Sequence, residues 1–150
     1  MSDLPTANHW TYKWLPAAAA IFALAGLFDA AYLTVHHLTN EPVPCSVTGG
    51  GCEAVLTSPY AELMGIPLAV YGAAAYFTAF CLAVLTIFGR QRLWTLYGAL
   101  SACMAATSFY LLYLQSQVIG QYCQYCLVSA ATSITLFLIF LIFIVLRPKR

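Results

Sequence analysis

Charge is scarce in this sequence. Six Lys and Arg and five Asp and Glu make up 7% of 150 residues, where soluble domains carry about a quarter. With 62% hydrophobic residues and a mean hydropathy of +0.81, the chain cannot cover itself with a hydrated surface, which excludes an ordinary soluble domain. The formal net charge of +1 comes with no basic stripe interleaved with aromatics, so nucleic acid is not an expected partner. No segment alternates with period two, which excludes the strands of a membrane barrel. No histidine follows the Cys123-x-x-Cys126 pair, so covalent haem attachment is excluded, and no flavin or iron–sulfur motif is present.

What is present is long apolar runs. Four of them, roughly Leu15 to Val35, Pro67 to Phe88, Trp94 to Ile119 and Cys123 to Leu146, reach the ~20 residues that a helix needs to cross a hydrocarbon core. Backbone groups in lipid must bond within their own segment, so these runs predict helices. The expected fold class is all-α: a polytopic membrane protein with a four-transmembrane-helix bundle and a short outer capping helix. Residues 1–14 read as a cytoplasmic amino-terminal lead and residues 15–150 as a single membrane domain. The first run is too long for the apolar part of a cleaved signal peptide, and only Lys13 flanks it with positive charge, so it is expected to be retained.

With four spans, both termini and the link between spans two and three share one side. That side collects Lys13, Arg90, Arg92, Arg147, Lys149 and Arg150, every Lys and Arg in the sequence, and the positive-inside rule makes it cytoplasmic. Cys45, Cys52, Cys123 and Cys126 then fall together on the outer face, where disulfides persist.

Cys123 and Cys126 stand three residues apart at the start of the last span. If a helix begins there, both sulfurs share one face of its first turn, where unpaired N–H groups and the helix dipole favour a thiolate. Cys45 and Cys52 flank an outer loop in which Gly49, Gly50 and Gly51 offer a wide choice of backbone angles; a reversible pair and a static loop disulfide both fit. Glu53 to Gly65 has helical spacing but is too short to span, with Val55, Leu56, Leu63 and Met64 on one face. It predicts a lid in one or two short helices, interrupted at Pro59. Asp29 lies inside the first span, where a carboxyl is costly; it is expected to face the bundle interior, as a polar interhelical contact or as a proton donor or cofactor contact. His36 and His37 read as interfacial anchors, and Cys81 and Cys103 as packing residues inside the spans.

A structural zinc site is disfavoured by the six residues between Cys45 and Cys52. Thiol and disulfide exchange between a mobile pair and a fixed pair matches the glycine-rich loop and the helix mouth. Electrons leaving Cys123 and Cys126 need an acceptor, and a lipid-soluble quinone, ubiquinone or menaquinone, is the natural one in a bilayer. The alternative is a non-enzymatic membrane scaffold with structural disulfides.

The order Cys45, Cys52, Ser58-Pro59, Gly65-Ile66-Pro67 and Cys123-x-x-Cys126 resembles the vitamin K epoxide reductase family, in particular its bacterial members, over nearly the whole chain. The other quinone-linked disulfide generator, the DsbB type, carries its Cys-x-x-Cys in the first outer loop rather than the second. The resemblance implies a four-helix bundle around a quinone in the bacterial cytoplasmic membrane, capped by the half-helix after Cys52. It implies Cys45 and Cys52 as the shuttle pair, Cys45 meeting a thioredoxin-like partner and Cys52 passing electrons to Cys123. It places Cys126 beside the quinone ring and Ser58 in the capping segment. The chain ends at Arg150, shortly after the fourth span, so the expected partner is a separate protein. Ala130 stands where the animal enzymes carry a tyrosine and Leu68 where an asparagine is frequent, which argues against vitamin K epoxide as the substrate.

Overall fold

The computed structural model describes residues 7–46 and 49–146, the first six of these by backbone alone. The beginning of the expected lead, and Arg147, Lys149 and Arg150 of the expected cytoplasmic cluster, lie outside the described residues.

Helix α1 (Ala7–Thr39) is followed by the short α2 (Gly51–Leu56), a hairpin of β1 (Glu62–Leu63) and β2 (Ile66–Pro67), and then α3 (Leu68–Ile87), α4 (Leu93–Tyr113) and α5 (Gln124–Leu146). Four of these helices are long and apolar enough to cross a membrane: Lys13–Thr39 within α1, α3, α5, and Leu93–Ile119, which joins α4 to the segment beyond it. The all-α multi-pass bundle expected from composition is the observed fold.

Small residues set how closely the helices approach. Ala19 and Ala23 of α1 and Ala79 and Ala83 of α3 are fully buried, and a Cβ added at Gly72 would stand 3.8 Å from that of Ala30. A Cβ at Gly26 would overlap the Tyr76 ring, so the absence of a side chain there lets α1 and α3 meet. In lipid there is little hydrophobic drive between helices, and such close backbone packing supplies the association instead. Gly26 against Tyr76 and Ala30 against Gly72 make α1 and α3 antiparallel. On the other side, Gly98 meets Phe140 and Trp94 meets Phe143, so α4 and α5 are antiparallel too. The end near the α3–α4 link is filled by Trp94 stacked on Tyr97 at 4.4 Å, and the Tyr97 hydroxyl donates to the Leu136 carbonyl at 3.1 Å.

Three elements depart from expectation. Helix α1 starts at Ala7, inside the stretch expected as a lead, and Pro16 sits within the helix rather than in its first turn. A lone proline removes one backbone bond, and the long apolar run on its carboxyl side carries the helix through it. The second half of the expected lid is a hairpin: Met64 and Gly65 have φ of +57° and +77°, the pair of left-handed residues that a two-residue hairpin turn requires. Met64 is therefore 92% exposed and Leu63 half-exposed, and neither shares a buried face with Val55. Finally, α4 passes into a π-helical segment (Leu114–Ile119) that ends at Gly120 with φ of +68°. Leu-Gln-Ser-Gln-Val-Ile contains no helix breaker, so the change of winding has no local cause in the sequence.

Candidate redox site and cavity

Cys123 occupies the residue before α5. Its carbonyl accepts from Leu127 N–H at 3.0 Å, and its Sγ accepts from Cys126 N–H at 3.5 Å. The sulfur thus stands where a serine or aspartate oxygen caps an ordinary helix, on the third N–H of the first turn. The thiol of Cys123 is brought down to about 7, first by the hydrogen bond from the Cys126 side chain and further by the N–H groups of Cys126 and Tyr125; burial and the charge of Asp29 oppose this. The lowered pKa makes Cys123 the better leaving thiol of the pair. The sequence reading placed Cys123 in the helical turn; the structure makes it the cap.

Cys45 and Cys52 form a disulfide with Cα atoms 6.0 Å apart. Cys52, in the first turn of α2, is fully buried, as is Cys123. The two share one cluster with Val55, against which Cys45, Leu56, Ile119, Tyr125 and Cys126 pack. The four cysteines of the two pairs are therefore brought together. Gly51 explains how α2 comes so near the start of α5: a Cβ there would overlap the carbonyl oxygen of Tyr122. Of the three loop glycines, Gly49 and Gly50 adopt positive φ, while Gly51 supplies a close approach. The segment bearing Cys45 is tied to α5 through the Pro44 carbonyl, which accepts from Tyr125 Oη at 3.2 Å and Gln124 Nε2 at 3.5 Å.

Beside this cluster lies a cavity of about 300 Å³, enclosed by all four long helices with Val55 and Leu56 of α2 over one end. This is the lower end of the range for small-molecule sites, and its lining is mostly apolar, as such sites are. Asp29, Ser58 and Cys126, the three residues expected to contact a cofactor, all line it; Cys45, Cys52 and Cys123 do not. One sulfur of the Cys123/Cys126 pair thus faces the second pair and the other faces the cavity. Asp29 Oδ2 is buried without a hydrogen-bond partner among the described residues, so the expected contact with a Tyr or Ser hydroxyl is not formed by that oxygen. The Ser58 hydroxyl donates to the Val55 carbonyl at 2.7 Å and so ends α2. Leu68 and Ala130 also line the cavity.

His37 and Glu62, 3.1 Å apart, tie the end of α1 to the hairpin, while His36 packs on the Tyr32 ring at 4.4 Å. Cys103, expected as a buried packing residue, is exposed on α4 and borders the cavity. No cluster of His, Cys, Asp and Glu able to hold a metal occurs among the described residues.

One participant escaped the sequence reading, and another was read only as part of a polar, aromatic span end, either an interface belt or the wall of a ring-binding pocket. Tyr76 is buried on α3 and bonds through Oη to the Ser129 carbonyl at 2.7 Å and to Ser133 Oγ at 2.8 Å, fixing the cavity wall made by α5. Gln115, in the π-helical segment, accepts the Cys123 N–H through Oε1 at 3.2 Å. Its only signal was the polar character of the end of the third span.

The sequence profile of the vitamin K epoxide reductase family matches residues 17–141. The thiol-disulfide oxidoreductase LTO1 of Arabidopsis thaliana is 33% identical over an alignment of 105 residues that covers 65% of this chain and 28% of that protein. The chain thus spans little more than a quarter of that relative's length.

Proposed function

Since the chain belongs to the vitamin K epoxide reductase family, we propose that it is a membrane thiol-disulfide oxidoreductase that draws electrons from a thioredoxin-like partner and delivers them to a quinone. The observation that carries this reading is the division of labour among the sulfurs. Cys52 and Cys123 are buried together, and Cys126 opens onto an apolar cavity between the spans.

The partner's dithiol reduces the Cys45–Cys52 disulfide through a mixed disulfide at Cys45. The Cys52 thiolate then attacks Cys123 of an oxidised Cys123–Cys126 pair and expels Cys126. Cys45 closes on Cys52, releasing Cys123, whose low thiol pKa favours departure. Each exchange breaks one S–S bond and forms one. A disulfide between Cys45 and Cys52 alongside free Cys123 and Cys126, the arrangement observed, is the state that follows this transfer. Overall, two electrons and two protons pass from the partner dithiol to the quinone, giving a partner disulfide and a hydroquinone. The cavity supplies an apolar berth open to bilayer lipid chemistry, and Cys126 is the group at which electrons leave the chain. Lys13, Arg90 and Arg92 at one end of the bundle, with the cysteines at the other, support an outward-facing site in a bacterial cytoplasmic membrane.

The test is anaerobic. Dithiol-reduced protein in detergent, mixed with a ubiquinone or menaquinone analogue, consumes two quinones per chain by absorbance, one for each reduced cysteine pair; Cys126→Ser consumes none. Folded wild-type protein that consumes no quinone, while all four outer cysteines reoxidise with other oxidants, overturns the quinone assignment and leaves a scaffold with structural disulfides as the reading.

Asp29, buried on the cavity wall with an unpartnered oxygen, is the acid we assign to proton delivery. General acids contribute about 10²–10⁴-fold, so Asp29→Asn is expected to slow quinone reduction about a hundredfold while leaving exchange between the cysteine pairs intact. Unchanged quinone turnover across the pH range would remove Asp29 from the mechanism.

A further inference from the structure

Gln115 is 3% exposed, yet it borders the cavity and lies next to Cys123. Its orientation is fixed by chemistry. The Cys123 backbone offers only an N–H, so the side-chain atom that meets it must be the carboxamide oxygen. The amide nitrogen, with two donors, therefore points elsewhere, and it makes no hydrogen bond among the described residues. It is not one of the fully enclosed atoms that lack a partner, so it reaches open space, and the open space that Gln115 borders is the cavity.

The other hydroxyls around the cavity are largely committed. Ser58 donates to the Val55 carbonyl, Thr107 to the Cys103 carbonyl at 3.0 Å, and Tyr76 to the Ser129 carbonyl. A quinone ring presents two carbonyl oxygens, which accept and cannot donate. Ser108 and Tyr60 also border the cavity without a hydrogen bond among the described residues, but only the Gln115 carboxamide is anchored to the Cys123 backbone, and the proposed substrate has an acceptor with nothing else assigned to it.

We propose that the Gln115 carboxamide is the hydrogen-bond donor that holds one quinone carbonyl, an assignment that rests on the quinone reading above. The same side chain grips the backbone of Cys123 through its oxygen, so it sets the ring relative to the start of α5 and the Cys126 sulfur. The π-helical winding gives this its geometry: π turns recur at functional sites because they swing a side chain out of the regular helical register. Gln115 is thus a substrate-positioning residue rather than a redox participant.

A short-chain menaquinone analogue with ¹³C-labelled carbonyls tests this by infrared difference spectroscopy. In the wild-type protein one carbonyl band is expected below its position in hydrocarbon solvent, and in Gln115→Met that band returns to the solvent value. Loss of one buried hydrogen bond corresponds to about a three- to tenfold rise in quinone KM. Two labelled carbonyls that both vibrate as in hydrocarbon when bound to the wild-type protein overturn the assignment, and this arm needs no variant to fold. An unaltered spectrum and KM in a folded Gln115→Met protein overturn it equally. Failure of the wild-type protein to reduce any quinone is a separate outcome that removes the underlying reading as well.

Discussion

With Cys45 and Cys126 both replaced by serine, the chain is expected to close a disulfide between Cys52 and Cys123 in nearly every molecule under mild oxidation, and to lose all turnover. The two remaining cysteines of the site are 71 positions apart, too far for a local loop, but both are fully buried in one cluster, and the residues just before them, Gly51 and Tyr122, approach closely. Disulfides form readily when Cα atoms come within about 4.4–6.8 Å, and removing each cysteine's own partner leaves the interpair bond as the available product. Peptide mapping without reductant reads it directly. Recovery of both thiols after oxidation of the folded protein would mean that the pairs do not communicate, and the relay would have to be abandoned.

The second large effect belongs to Gly51. Gly51→Ala ought to help by local criteria, since alanine is favoured over glycine in a helix by about 0.5–1 kcal/mol. The structure reverses the sign. The new methyl would overlap the Tyr122 carbonyl, a backbone atom that cannot swing aside, so α2 must move away from the start of α5. A displacement of about 1 Å between reacting groups can cost 10²-fold, so transfer between the pairs is expected to slow about a hundredfold. Reduction of quinone by pre-reduced Cys123 and Cys126 should fall much less, because Gly51 does not line the cavity and α2 reaches it only through Val55 and Leu56. Rapid-mixing experiments that start from partner dithiol or from pre-reduced protein separate the two steps. An interpair rate equal to wild type would show that the glycine serves the loop alone.

These two predictions mark where sequence reasoning reached and where it stopped. The spans were legible because about 20 apolar residues in lipid have only one way to satisfy their backbone, and Cys123-x-x-Cys126 was legible because its spacing matches one helical turn. The cavity residues Asp29, Ser58 and Cys126 followed from position within that frame and from family resemblance. Gly51 was read as part of a mobile run because a glycine's sequence neighbours do not disclose whether it is needed for its angles or for its lack of a Cβ. Gln115 was one polar residue among several at the end of a span, and only the π winding selects it. The hairpin replaced a second short helix because Pro59 interrupts the helical pattern and Met64 accepts a left-handed φ, an uncommon choice for a side chain of that size that no pattern rule anticipates.

Pro44 offers one last consequence. Two hydrogen bonds, from Tyr125 and Gln124, hold the Cys45 segment to the head of α5. Neutral bonds of this kind are worth about 0.5–1.5 kcal/mol each, so together they disfavour detachment of the segment by a further factor of roughly ten to a hundred, beyond the packing of Cys45 and its bond to Cys52. A partner that engages only the detached form sees its apparent affinity lowered by that same factor. The latch therefore acts as a filter on encounter: it is weak enough for a specific partner to open within its own binding energy, and strong enough to hold the half-buried Cys45 in place between encounters.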